Sequence, residues 1–174
     1  MAKVINDNYG IVDGVMLTVH AYTGSQRLVD TPHSDLREAR AASLNIIPTS
    51  TGAAKSVIEI MPELKGKLYS SAVRVPVADG SVCYFVVETQ KKTNVEEVNQ
   101  LFKNVSQFHL KGILEYCEDE IVSSDIVGNP NSCIFDSKLT KYLDNRMLEV
   151  VGWYDNEWGY SNRMIDVIKI MNSR

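Results

Sequence analysis

Three cysteines in 174 residues, widely spaced and without a CxxC pair, are too few for a disulfide framework or a zinc site. Cys83, Cys117 and Cys133 suit a reducing, cytoplasmic compartment, and no metal site is expected. The chain also lacks any dense Lys/Arg cluster, and its formal net charge is -4, so nucleic acid is a poor partner. No apolar run approaches the ~20 residues a membrane span requires, and no stretch reads as a signal peptide. A G-x-G-x-x-G turn is missing, so the chain carries no dinucleotide fingerprint of its own. Neither an internal repeat nor a low-complexity segment interrupts it.

What remains is ordinary globular material, 44% apolar and 23% charged, in one domain's length. The opening MAKVINDNYG reads as the back half of a helix that Gly10 stops, which suggests a fragment of a longer protein. Residues 10–23 are rich in Val, Ile and Thr and read as a strand. The connection over 24–43 is long and aperiodic, the kind a compact domain keeps for function. A helix follows over 52–63, with Ala54, Val57, Ile58 and Met61 in helical spacing before Pro62 ends it. Strands 67–77 and 81–90 flank the short Ala78-Asp79-Gly80 turn and read as a hairpin. The second is apolar on both faces, which predicts cover on both sides, by helices and by a partner subunit. The clearest helix is 93–108, with Thr93 and Glu96 as a capping box. Strands at 113–117, 132–137 and 147–154 precede a last helix at 157–172 that buries Met164, Ile165, Ile168 and Met171. Strands and helices do not alternate strictly. The expected class is therefore α+β, a largely antiparallel mixed sheet covered by helices.

Four stretches could carry chemistry. In IIPTSTGAAK, Thr49, Ser50, Thr51 and Gly52 stand at a helix start, where free N–H groups and the dipole favour an anion or the hydroxyls simply cap. Arg74 lies inside the apolar strand VRVPV and must meet a carboxylate, a ligand anion or solvent. WYDNEWGYSNR joins the last strand to the last helix. Asp155 or Asn156 would cap that helix, and the four aromatics Trp153, Tyr154, Trp158 and Tyr160 form either a packed corner or the wall of a flat-ring pocket. His20, in TVHAYTGSQR, is a structural strand-end histidine or a base that activates a thiol. No cysteine is near it in sequence, and Cys83 sits in a strand whose burial would raise a thiol's pKa.

Together the segments AKVINDNYGI, TVHAYTGSQ, NIIPTSTGAAK, PELKGKL, RVPV and WYDNEWGYSNR resemble, in order and over nearly the whole chain, the catalytic domain of the phosphorylating glyceraldehyde-3-phosphate dehydrogenases. The resemblance implies a reaction in which a cysteine thiolate adds to an aldehyde, hydride passes to NAD, and inorganic phosphate releases the acyl group. It implies that His20 is the base for that thiol, and that Thr23 and Arg74 hold the phosphate of glyceraldehyde 3-phosphate. It assigns the attacking phosphate to Thr51 and Gly52, and the nicotinamide carboxamide to Asn156 with Tyr160 nearby. Residues 24–45 resemble the loop that reaches a neighbouring subunit's cofactor in the family homotetramer, and Pro32 matches its NAD-preferring form. The family's nucleophilic cysteine and N-terminal Rossmann domain precede the AKVINDN helix, so the resemblance implies that this chain is inactive alone. Two departures stand out: VPVADGSV replaces the usual VPTPNVSV, and Glu38 stands where many bacterial relatives carry arginine. The alternatives are an erythrose-4-phosphate dehydrogenase and a non-catalytic oligomerisation or binding module.

Overall fold

A computed structural model describes residues 1–173. The chain runs α1 (Ala2–Tyr9), β1 (Ile11–Ala21), β2 (Ile47–Thr49), α2 (Ala53–Ile60), β3 (Leu68–Val75), β4 (Ser81–Thr89), α3 (Val95–Gln107), β5 (Leu114–Cys117), β6 (Cys133–Leu143), β7 (Met147–Tyr154) and α4 (Trp158–Asn172). Its seven strands form one sheet in the order β2-β3-β1-β4-β7-β6-β5. Only β1/β3 and β5/β6 are parallel, so the architecture is the α+β, mostly antiparallel sheet expected.

The hairpin reading of β3 and β4 is corrected. β1 lies between them, parallel to β3 and antiparallel to β4. The Ala78-Asp79-Gly80 turn reverses the chain, as its residues dictate, but it crosses the end of β1 instead of pairing its own flanks. Gly80 is needed there: its φ is +91°, and a Cβ would stand 2.5 Å from the Ser123 carbonyl oxygen.

One sheet face carries the core. Phe85, Val87, Leu148, Val150 and Phe135 pack against Val4 and Ile5 of α1, Val98 and Phe102 of α3, and Met61 and Leu64 just after α2. Phe102 and Phe135 stack with centroids 4.0 Å apart. Burying side chains of this size contributes roughly 1.5–3 kcal/mol each. The other face is covered only at its far side, where Ile126 and Ile121 pack on Ile134, Cys117 and Trp153. Its near side is open, with Tyr69 67%, Val15 46% and Leu17 39% exposed. The expected two-sided cover of β4 thus holds on one face, while Tyr84 and Val86 on the other are half-buried.

Three local expectations shift. Asn94, not Thr93, caps α3, its side chain accepting the Glu97 N–H at 2.8 Å, while Thr93 Oγ1 reaches the Glu97 carboxylate at 3.1 Å. α2 ends at Ile60, and Pro62 begins a separate single turn of 3-10 helix. Most importantly, α4 does not bury its apolar residues: Met164, Ile165, Ile168 and Met171 are all more than half exposed. The periodicity is sufficient for a helix, but no element among the described residues covers its apolar side.

Candidate functional site

β1, β3, β4 and β7 end together at one edge of the sheet. Arg74 of β3 is in register with His20 of β1, and Ser81 of β4 with Tyr154 of β7. β1 and β4 pair up to Val19 and Val82, one step short of His20 and Ser81. Side chains alternate faces along a strand, so this register sets Arg74, His20, Ser81 and Tyr154 in one transverse row. The His20 and Tyr154 rings meet edge to face, 6.0 Å between centroids at 74°.

Of the partners open to Arg74, no carboxylate pairs with it among the described residues. Its guanidinium lies 2.6 Å from His20 Nδ1 and donates to the Ala21 carbonyl at 3.2 Å, while Nε is enclosed with no partner. His20 Nδ1 is also 2.7 Å from Ala21 O. Arg74 can only donate, so the nitrogen serves either the guanidinium as acceptor or the carbonyl as donor. The second choice leaves Nε2 with a free lone pair. Burial, reinforced by the neighbouring Arg74 charge, lowers the His20 pKa below 6.5 despite the opposing Ala21 bond. The imidazole is therefore neutral near pH 7, as a base must be.

None of the three thiols is hydrogen-bonded to His20. Burial pushes Cys83, Cys117 and Cys133 all above the usual thiol value, the reverse of an activated nucleophile. Tyr154 is likewise pushed up, to about 12, by burial first.

The strand-to-helix corner is organised by Asp155. Its carboxylate accepts the N–H groups of Trp158 at 2.7 Å, Glu157 at 2.9 Å and Gly128 at 2.8 Å. Burial alone would raise its pKa, but these donors outweigh it and hold the group low. Asp155 is thus the cap, and Asn156 is free for other use. Asn156 Oδ1 accepts from Ser81 Oγ at 2.9 Å, while its Nδ2 is buried without a partner. Of the four aromatics, Trp153 donates to Asp136 at 3.1 Å and Tyr154 faces His20, whereas Trp158 and Tyr160 are 51% and 71% exposed. The corner is half packed and half open.

The other residues singled out by sequence lie around this row. Thr23 sits in the turn after β1, its hydroxyl 3.0 Å from Ser25 and its N–H on Gln26; its hydrogen bonds do not reach Arg74. Gly52 precedes the first turn of α2, and a Cβ there would meet nothing within 4 Å, so the helix start is open to a ligand. Thr51 Oγ1 accepts the Ala53 N–H, and Ser70 of β3 anchors this turn through Ala54 N and Thr51 O. Ser70 is four residues before Arg74 on the same strand, about 13 Å away along it. The long connection is folded on itself, with Thr31 N–H bound to Ala39 O and Asp30 to Ala41 N–H. Glu38 joins it to the sheet by accepting from Thr49 Oγ1 at 2.7 Å. Sequence reasoning missed Ser81, which carries no motif; only the folded chain shows that it stands beside Tyr154 and hydrogen-bonds Asn156.

A sheet edge with a neutral histidine, a half-buried arginine and an open helix N-terminus defines an α+β domain suited to base and anion chemistry. The model of the glyceraldehyde 3-phosphate dehydrogenase C-terminal domain matches residues 1–156. Glyceraldehyde-3-phosphate dehydrogenase of Streptomyces coelicolor is 57% identical over 168 residues, 96% of this chain and 50% of that protein. Glyceraldehyde-3-phosphate dehydrogenase 2 of Streptomyces avermitilis is 54% identical over 167 residues, with the same coverage of 96% and 50%. The Mycobacterium tuberculosis glyceraldehyde-3-phosphate dehydrogenase is 55% identical over 171 residues, 98% of this chain and 50% of its own length. The chain belongs to the glyceraldehyde 3-phosphate dehydrogenase C-terminal domain family, whose named members are oxidoreductases. It spans about half the length of the curated relatives it matches. No helix among the described residues is long and apolar enough to cross a membrane.

Proposed function

We propose that this chain is the base- and phosphate-bearing half of an NAD-dependent, phosphorylating glyceraldehyde-3-phosphate dehydrogenase, working with an N-terminal dinucleotide domain that also supplies the thiol. The observation that carries this is the row at the sheet edge, where a neutral His20 stands beside Arg74 and no thiol of this chain is placed or activated to react. His20, with Nδ1 held by the Ala21 carbonyl, takes the proton of the incoming thiol at Nε2. The resulting imidazolium then stabilises the thiolate by charge pairing. Arg74 and Thr23 hold the phosphate of glyceraldehyde 3-phosphate, and the Arg74 Nε without a partner is a donor left over for it. Thr51 and Gly52 hold the attacking inorganic phosphate at the N-terminus of α2. NAD supplies the hydride acceptor when bound. The part of its site on this chain is Asn156, whose orphaned Nδ2 fits a carboxamide, with Tyr160 exposed beside it.

The uncovered surfaces support the same reading. The apolar face of α4 fits cover by the N-terminal half, and the open face of β1, β3 and β4 fits a homo-oligomer, the family tetramer. The unpaired cysteines agree with a cytoplasmic setting.

The test joins this chain to the N-terminal half of the Streptomyces coelicolor relative. NADH formation from glyceraldehyde 3-phosphate and phosphate is expected in the fusion and absent in the 174-residue chain alone. His20→Asn should lower kcat about 10²- to 10⁴-fold. Turnover by the chain alone, abolished by mutating one of its own cysteines, would overturn the proposal.

A further inference from the structure

The N–H of Ala21 is buried just past the point where the β1/β4 ladder stops at Val19 and Val82. A buried N–H needs an acceptor. Ser81 Oγ takes it at 3.1 Å, and Ser81 is itself 1% exposed. A serine hydroxyl has two lone pairs and one proton. Ala21 uses one lone pair. Tyr154 stands across from Ser81 in register on the neighbouring strand. The serine's own proton goes to Asn156 Oδ1 at 2.9 Å. One hydroxyl thus bonds both the end of β1 and the Asn156 amide. Oδ1 is occupied, and Nδ2 is the free edge, enclosed and without an acceptor.

We propose that Ser81 is a positioning residue: its hydroxyl ties the His20 end of β1 to Asn156 and holds the amide with Nδ2 as its free edge. The ligand end of this inference rests on the reading of Asn156 as a nicotinamide contact; the hydrogen-bond wiring does not. Ser81 touches no reacting atom. It acts by setting which edge of Asn156 is available, and by keeping the strand that carries His20 in place.

The test uses the full 174-residue chain, isotopically labelled, and two variants. In Ser81→Ala the Asn156 side-chain N–H2 signals should move and the Ala21 amide should exchange with water about tenfold faster. Ser81→Thr, which keeps the hydroxyl, should restore both, a rescue that a loss of packing alone would not show. A folded Ser81→Ala chain with unchanged Asn156 signals and unchanged Ala21 exchange overturns the proposal. Should Ser81→Ala not fold, the unsubstituted chain decides. A slowly exchanging Ser81 hydroxyl proton with a nuclear Overhauser contact to the Asn156 side chain supports the wiring, and its absence overturns it. Titration with nicotinamide mononucleotide separates the two readings. It should shift the Asn156 N–H2 signals of the unsubstituted chain and shift them less in Ser81→Ala. If it shifts neither, the nicotinamide reading falls while the wiring is still judged by the signals above.

Discussion

At the scale of single residues, His20 and Arg74 show how one contact sets chemistry. Arginine stays protonated, so a guanidinium 2.6 Å from an imidazole nitrogen works with burial to keep that ring uncharged. The folded chain therefore binds a proton at His20 less readily than the unfolded chain does. Stability should rise with pH between the lowered folded pKa and 6.5, and be lost as pH falls through that window. Above 6.5 both states are neutral at this residue and its contribution to the pH dependence ends. Urea midpoints from about pH 7.5 to about pH 5.5, compared with those of His20→Gln, should show a steeper acid loss in the unsubstituted chain. Parallel curves would mean that His20 is not held neutral. The three thiols tell the complementary story. Each is pushed up by burial, so a cysteine count alone gives no guide to reactivity.

Among elements, α3 is the cleanest case of a helix specified locally and adjusted by its neighbours. Its apolar stripe and acidic first turn were legible, with Val98 and Phe102 fully buried as the spacing required. The cap moved by one residue because the Thr93 N–H is taken by the Tyr142 hydroxyl at 3.2 Å, which fixes Thr93 outside the helix and leaves Asn94 to cap. Asn94→Ala should cost about 1 kcal/mol, and Thr93→Ala clearly less, by thermal or urea unfolding. Equal costs would restore the Thr93 assignment. α4 makes the opposite point. Its start is secured by two N–H bonds to Asp155, yet its apolar residues face solvent. A helix can be capped and periodic without having found what it packs against.

For the molecule as a whole, the sheet has one finished face and one half-finished face. Tyr69, Val15 and Leu17 are exposed on three neighbouring positions of β3 and β1, a contiguous apolar patch of the kind that marks an interface. Sedimentation of the chain should show association that weakens at low concentration. Tyr69→Lys should shift it toward monomer with little change in melting temperature, since Tyr69 contributes little to the core at 67% exposure. A strictly monomeric parent chain would remove the interface reading.

The sequence by itself determined the fold class, most strands, the clearest helix and the residue types needed for base and anion chemistry. Those follow from periods, turn residues and short motifs, each carried by neighbours along the chain. What it could not decide was who stands beside whom. β3 and β4 read as a hairpin because a turn joins them, but β1 enters between them, and that insertion is what sets Arg74 beside His20. Ser81 read only as the first residue of a strand and became the link between Asn156 and the end of β1. Strand order is a matter of which faces bury best against which others, an energy summed over the whole sheet and not written in any one segment. Tertiary structure therefore decided the site, by lining up the ends of four strands whose sequences are dozens of residues apart.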